Sequence, residues 1–415
     1  MVDEAAGDAV STSAMSKPEP IPSPPARAAA RSPFVRLAEL LADVAPGKPA
    51  INLSVGEPQH PIPAFVGPVI AAHLQDFGRY PANKGTERFR RAAAAWLQAR
   101  YALPRMPDFD SEVLVLNGSR EGLFLAAVAA KRFVGPRAGT PAILIPNPFY
   151  AAYGAGASVA GCEPVYLAAN RENGFLPDLD ALEPALLART VAMYLASPSN
   201  PQGAVASRDY LARLITLARR FGFLLFADEC YSEIYSHAPP AGMLEAAGDD
   251  FANVLIFQSL SKRSNLPGLR VGFAAGDKRF LAQFIELRNI AAPQVPVPLQ
   301  EVAVAAYGDE THVEENRALY RQKFDLADQI LGNRYGYRRP AGGFYLWLDV
   351  TAHGGDEAAT VKLWREAGLR VIPGCYLARQ HADGSNPGDG YVRVAMVHDR
   401  ETTAEALHRL VAVLG

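Results

Sequence analysis

From residue 113 onward the chain alternates short, nearly uninterrupted apolar runs with longer stretches of helical periodicity. The runs at 113–116, 142–146, 164–167, 191–195, 224–227 and 253–258 carry hardly a polar position. A strand with one wet face would alternate apolar and polar residues, so these read as strands covered on both sides. The stretches at 123–130 and 211–220 space their apolar residues as helices do. Strand and helix in alternation predict an α/β fold around a mainly parallel sheet. Upstream, Pro33 suits a first helical turn, with Phe34, Leu37, Leu40 and Leu41 at helical spacing behind it. A short strand near 51–53 runs into a turn, and a long helix carries Arg90, Ala94, Leu97 and Tyr101. Beyond 297, long helices precede short strands at 344–348 and 391–395, the pattern of a smaller α+β domain. The expected organisation is a tail at 1–31, a segment at 32–75 that joins the small domain, a large domain at 76–296 and the small domain at 297–415.

Composition narrows the function more than the fold. At 415 residues the chain exceeds one simple core. An apolar share of 49% and a charged share of 20% are ordinary for a globular protein in water. A net charge of −2 offers no general field for nucleic acid or an anionic membrane, so an anionic ligand would need a few placed cations. No apolar run approaches the roughly 20 residues of a membrane helix. The start of the chain is rich in Ala, Pro and Ser, and its Asp3, Glu4 and Asp8 speak against a targeting leader, so a disordered tail is expected. Cys162, Cys230 and Cys375 stand far apart without CxxC spacing. Neither a disulfide framework nor a metal site is expected, and a reducing cytoplasm fits.

Candidate chemistry gathers where the apolar runs end, the edge at which open α/β sheets collect ligands. After 253–258 comes Ser259-Leu260-Ser261-Lys262, then a loop broken by Pro267 and Gly268 that leads to Arg270. This puts Lys262 at the change from strand to loop, although Ser-x-Ser-Lys alone reads more simply as a solvated loop. Gly118-Ser119-Arg120 opens a helix whose amides and dipole can hold a phosphate; a capping turn without a ligand explains it as well. Asp228 ends an apolar strand, either as a cap or as the partner of a buried cation. At ~3 Å and an effective dielectric near 20, such a pair is worth ~5 kcal/mol before desolvation. Ser197-Pro198-Ser199-Asn200-Pro201 concentrates X-Pro bonds in one loop, a place for cis peptides or a plain breaker.

Taken together, these residues meet the needs of pyridoxal phosphate: an amine for its aldehyde, a carboxylate for its ring nitrogen, and a helix start and an arginine for its phosphate. In the spacing Asn-Pro, Asp-Glu-x-Tyr, Ser-x-Ser-Lys and Arg, the chain from Ser32 to its C-terminus resembles the fold-type I, class I and II aminotransferases. Within them, the phrase from Ser261 to Arg270 and Leu-Ser-Val-Gly-Glu-Pro-Gln-His-Pro upstream are most similar to the succinyldiaminopimelate aminotransferases. The resemblance implies a mainly parallel seven-stranded sheet in the large domain and pyridoxal 5′-phosphate as cofactor. It implies that Lys262 binds the cofactor and moves the proton, that Asp228 pairs with the ring nitrogen, and that Asn200 and Tyr231 hydrogen-bond the ring oxygen. Tyr150 would stack on the ring; Ser119, Arg120, Ser259, Ser261 and Arg270 would hold the phosphate. Tyr80 would reach the phosphate in the neighbouring subunit, which makes a homodimer with shared sites. Arg393 would clamp the substrate α-carboxylate, where a surface arginine on an edge strand is the plainer reading, and Gly56 would let substrate approach the backbone.

The implied reaction moves an amino group between an amino acid and a 2-oxo acid, with N-succinyl-LL-2,6-diaminopimelate and 2-oxoglutarate as the implied pair. A general aspartate or aromatic aminotransferase, or a β/γ-eliminating lyase on the same cofactor, is the alternative. A transcription regulator on this fold would need a DNA-binding domain that the tail is too short to supply. The chain departs from the subfamily at 289–296, where relatives carry a Tyr-His pair and a double proline, and that segment borders the side-chain pocket in the family. Arg288, just before it, reads as a solvated helix arginine or as a contact for a distal carboxylate.

Overall fold

The computed structural model describes residues 32–415, and the expected tail at 1–31 lies outside the described residues. Its strands are β1 (Ile51–Asn52), β2 (Val113–Leu116), β3 (Ala142–Asn147), β4 (Glu163–Ala168), β5 (Thr190–Ala196) and β6 (Leu224–Asp228). They continue with β7 (Val254–Ser259), β8 (Gly272–Gly276), β9 (Tyr345–Asp349), β10 (Leu369–Arg370), β11 (Ile372–Pro373) and β12 (Tyr391–Ala395).

Seven of them form one sheet in the order β2-β8-β7-β6-β5-β3-β4. Only β8 runs against its neighbours, pairing antiparallel with both β2 and β7. The sheet is mainly parallel, as expected. The apolar runs have no polar face because both sides are covered. In β6, Leu225 and Ala227 enter a core with Trp96, Leu97 and Met193, while Leu224 and Phe226 enter another with Leu123, Tyr194 and Phe280. Helices Glu87–Tyr101 and Arg208–Phe221 serve the first core, and Ser119–Val134 and Lys278–Ala291 the second.

A separate antiparallel sheet, β11-β12-β9, packs with helices Thr311–Leu331 and Arg400–Leu414 around Phe324, Leu346, Leu348, Val392, Val394 and Leu410. The N-terminal β1 pairs in parallel with β10, so Ile51 and Leu53 join this second core rather than that of the large sheet. No helix among the described residues is long and apolar enough to cross a membrane. All three cysteines are free. Because β2, β3, β5, β6 and β7 point the same way, their C-terminal ends share one edge of the large sheet. The smaller unit lies against that edge.

Candidate active site

At the end of β2, Gly118 caps the helix Ser119–Val134 with φ +76°, a conformation that favours glycine. A Cβ there would overlap Arg270 Nη2, so the guanidinium rests directly on the helix start. Arg270 itself has φ +55°, costly for a residue with a side chain. Its Nη1 donates to the Pro267 carbonyl at 2.9 Å and its Nη2 to the Asn117 carbonyl at 3.2 Å. Ser259 Oγ donates to Ser261 Oγ at 2.8 Å and accepts the Ser261 amide. With Ser119 and Arg120, these groups line one end of a cavity of about 1670 Å³. Helix start, hydroxyls and guanidinium together make a site for a multiply charged anion.

Lys262 stands in the four-residue helix Leu260–Arg263 rather than in a loop. Its Nζ donates to the Gly56 carbonyl and lies 5.2 Å from the centre of the Phe344 ring. Burial pushes its pKa down to about 8; Cys230 opposes this, and the Arg393 and Arg270 guanidiniums reinforce it. Gly56 is packed as well as near: a Cβ would overlap the Tyr345 hydroxyl.

Asp228, at the end of β6, accepts from the Tyr153 hydroxyl at 2.6 Å and from the Cys230 amide at 3.3 Å. This carboxylate caps a turn, one of its two sequence readings, and it also faces the cavity. Burial raises its pKa, and among the described residues no cation pairs with it. Asn200 follows β5 in the proline loop, where Ser197-Pro198 and Asn200-Pro201 are both cis, as is Asn147-Pro148. Its Oδ1 accepts from Arg393 Nη1 at 2.9 Å, which leaves its amide N–H groups for a ligand. Tyr231 places its hydroxyl 3.0 Å from that of Tyr345. Tyr150, before the helix Ala151–Val159, receives a hydrogen bond from Arg120 Nε.

Arg393 lies in β12, the central strand of its sheet, and is 4% exposed, so it is no edge-strand surface arginine. Its Nη2 donates to the Ser54 carbonyl at 2.6 Å, its Nε is buried without a partner, and its Cζ sits 4.4 Å over Tyr345. Among the described residues no carboxylate pairs with it. A buried cation of this kind calls for an anion from outside the chain.

The cavity thus gathers every candidate except Tyr80, which is 95% exposed and lies off its wall. Arg288 is a correction: it is buried, binds Glu121 through Nε at 2.8 Å and donates to the Val115 carbonyl. It is neither solvated nor available to a substrate. Of the 289–296 segment, Ala291 alone lines the cavity. Tyr153 and Tyr345 line the cavity without having been marked by the sequence, and Asn147, wholly buried behind it, bonds the Arg379 backbone. Tyr153 is one turn beyond Tyr150, in a helix whose Ala/Gly composition gives little periodic signal.

A lowered-pKa amine, a buried carboxylate without a cation and an anion cradle, all in one cavity, fit pyridoxal phosphate and define a pyridoxal-phosphate enzyme of fold type I. Residues 48–410 match the family described as aminotransferase class I and II. The LL-diaminopimelate aminotransferase of Desulforudis audaxviator is 32% identical over 389 residues, 92% of this chain and 95% of the relative. An aminotransferase structure from Neisseria meningitidis aligns with TM-score 0.87 and 37% identity over 93% of this chain and 98% of that one. A probable N-succinyldiaminopimelate aminotransferase from Thermus thermophilus aligns with TM-score 0.81 and 26% identity over 92% and 100%. The chain belongs to the class I and II aminotransferases, and its cofactor is pyridoxal 5′-phosphate.

Should Lys262 be the group that takes up the cofactor aldehyde, it must react as the free amine. The capture rate is expected to rise with pH to a midpoint of about 8, the pKa of the buried amine. Stopped-flow absorbance against pH measures it; a midpoint near ~10.4, the value of a solvated lysine, would contradict the burial argument.

Proposed function

We propose that this aminotransferase moves the α-amino group of N-succinyl-LL-2,6-diaminopimelate to 2-oxoglutarate, in diaminopimelate and lysine biosynthesis in the cytoplasm. The observation that carries the donor is the cavity's far wall, formed by Phe149, Tyr166, Gln202 and Arg379. Among the described residues it offers no carboxylate. A free ammonium at the distal end of an unacylated diaminopimelate would stand there beside a guanidinium, a repulsive arrangement. Acylation removes that charge and leaves an amide N–H. The cavity's volume of about 1670 Å³ also exceeds the roughly 300–1,000 Å³ of ordinary ligand sites, which suits a cofactor and a long donor together. LL-Diaminopimelate itself is the second reading, favoured by the name of the Desulforudis relative.

When bound, the cofactor supplies the aldehyde carbon that takes up the amino group and a ring that withdraws electrons from the substrate Cα. The chain's residues do the rest in this proposal. Lys262 would hold the cofactor at its aldehyde and, as a free amine, would accept the proton from the substrate Cα. Asp228 keeps a proton at the ring nitrogen. Asn200, oriented by Arg393, and Tyr231 donate to the ring oxygen, and Tyr150 covers the ring face. Ser119, Arg120, Ser259, Ser261 and Arg270 fix the phosphate. Arg393 and Asn200 hold the α-carboxylate against the Gly56 backbone. Tyr80, with exposed Leu74 and Phe77 before it, offers an apolar face for a second copy and would reach the phosphate there.

Holoenzyme assayed with a panel of donors tests this reading. N-Succinyl-LL-2,6-diaminopimelate is expected to exceed phenylalanine, alanine and LL-diaminopimelate in kcat/KM by at least roughly tenfold, because small apolar donors leave buried polar groups unpaired. Better turnover of LL-diaminopimelate moves the assignment to the second reading, and better turnover of phenylalanine to an aromatic enzyme.

A further inference from the structure

Two polar groups on the far wall keep bonding capacity that the chain does not use. Gln202 is 9% exposed, its Nε2 donates to the Ala169 carbonyl at 3.2 Å, and its Oε1 is buried without a partner. An acceptor left unmade in this way costs about 1–3 kcal/mol unless a ligand or water meets it. Arg379 is the second. Its Nη1 donates to the carbonyl of its neighbour Ala378 at 3.2 Å, its guanidinium stands beside the Tyr166 hydroxyl, and its Cζ lies 5.1 Å from the centre of the Phe149 ring. Among the described residues it has no carboxylate partner.

Both are tied to the same elements, Gln202 through its side chain and Arg379 through its backbone. The side chain of Asn147, wholly buried at the end of β3, donates to the Arg379 carbonyl at 2.8 Å and accepts the Arg379 amide at 2.9 Å. The Asn147 carbonyl in turn accepts the Ala169 amide at 2.9 Å, and Ala169 is the residue that anchors Gln202. One run of hydrogen bonds, Gln202 to Ala169 to Asn147 to Arg379, therefore sets the Gln202 side chain and the Arg379 backbone at the C-terminal ends of β3 and β4. Gln202, Arg379, Phe149 and Tyr166 open on the same cavity as Lys262. The other cations of that cavity point to other tasks in the proposed site: Lys262 to the aldehyde, Arg120 and Arg270 to the phosphate and Arg393 to the α-carboxylate.

We propose that Arg379 and Gln202 form a distal recognition subsite, Arg379 binding a carboxylate at the far end of the amino donor and Gln202 Oε1 accepting an N–H carried beside it. The substrate class is then a long 2-amino acid with a second carboxylate and an adjacent amide N–H. The subsite rests on the proposed aminotransferase site for the position of the α-carbon, but not on the identity of the donor.

The test is the half-reaction of holoenzyme with single donors, read as cofactor absorbance in a stopped-flow instrument. 2-Aminopimelate and 2-aminoheptanoate share a chain length and differ in the far carboxylate. Wild type is expected to prefer the diacid, and Arg379→Gln to lower that ratio about 10- to 100-fold, with part of it kept in Arg379→Lys. Gln202→Leu is expected to lower the rate of N-acetyl-2,6-diaminopimelate relative to 2-aminopimelate by about 5- to 10-fold. Arg379→Met carries the same comparison should the glutamine variant not fold. A wild-type ratio near one, or a ratio that Arg379→Gln leaves unmoved, overturns the subsite. Failure of N-succinyldiaminopimelate as a donor, with the diacid ratio still dependent on Arg379, would sink the donor assignment alone.

Discussion

Lys262→Ala is expected to lower transamination by at least about ten-thousand-fold, because one amine performs two tasks that alanine cannot. In the proposed site it would hold the cofactor and move a proton at the substrate Cα; positioned acid–base catalysis alone is worth about 10²–10⁴. The loss should fall on kcat, since Arg393 and Arg379, the cations proposed to bind the substrate carboxylates, remain in place. Stability should not follow. The Lys262 amine is desolvated and its hydrogen bond goes to a single carbonyl of Gly56, so removing it uncovers no buried partner charge. Thermal unfolding of the variant should match wild-type apoenzyme, and a variant that unfolds instead would show that Lys262 is structural. The same protein tests the dimer. In an equal mixture with Tyr80→Phe that is allowed to exchange subunits, about half the dimers are mixed, and each has one site with both residues intact. Recovery of about a quarter of wild-type activity is expected, and none if each subunit completes its own site.

The large sheet was legible because its strands are buried on both faces, which writes an unbroken apolar run. In β6 successive residues enter different cores, so each had to be apolar. β8 carries no such signature. Its Gly-Phe-Ala-Ala-Gly run has neither the β-branched residues nor the length that marks a strand, and pairing with β2 and β7 alone makes it one. The strand-end residues of the site were legible for a chemical reason: a lone lysine, carboxylate or asparagine after an apolar run stands out. Arg393 did not stand out by itself and needed the resemblance, since nothing local shows that β12 is central or that the guanidinium is buried. Arg288 misled for the same reason, its partner Glu121 being 167 positions away. Arg379 is tied to Asn147 across 232 positions, and no spacing in the sequence announces such a contact.

Asp228→Asn separates the chemistry of the site from the stability of the fold. The substituted amide keeps the shape, its one oxygen can accept from the Cys230 amide and its N–H can donate to the Tyr153 hydroxyl, but it carries no charge to hold a proton at the ring nitrogen. Breaking a buried ion pair by removing one partner costs about 3–5 kcal/mol, so kcat/KM should fall about 10²- to 10³-fold and cofactor retention should weaken. Apoenzyme should respond in the opposite sense. Burial holds the Asp228 pKa above its ordinary value, so the carboxylate costs the fold nothing below about 3.8 and progressively more as pH rises toward the raised pKa. A neutral amide at this position has no such cost. At neutral pH the variant apoenzyme should therefore melt at or above the wild-type temperature, while the variant holoenzyme gains less from cofactor than wild type does. Differential scanning of all four forms measures both. A variant that loses stability equally with and without cofactor would show that Asp228 serves as a turn cap and not as the partner of the ring nitrogen.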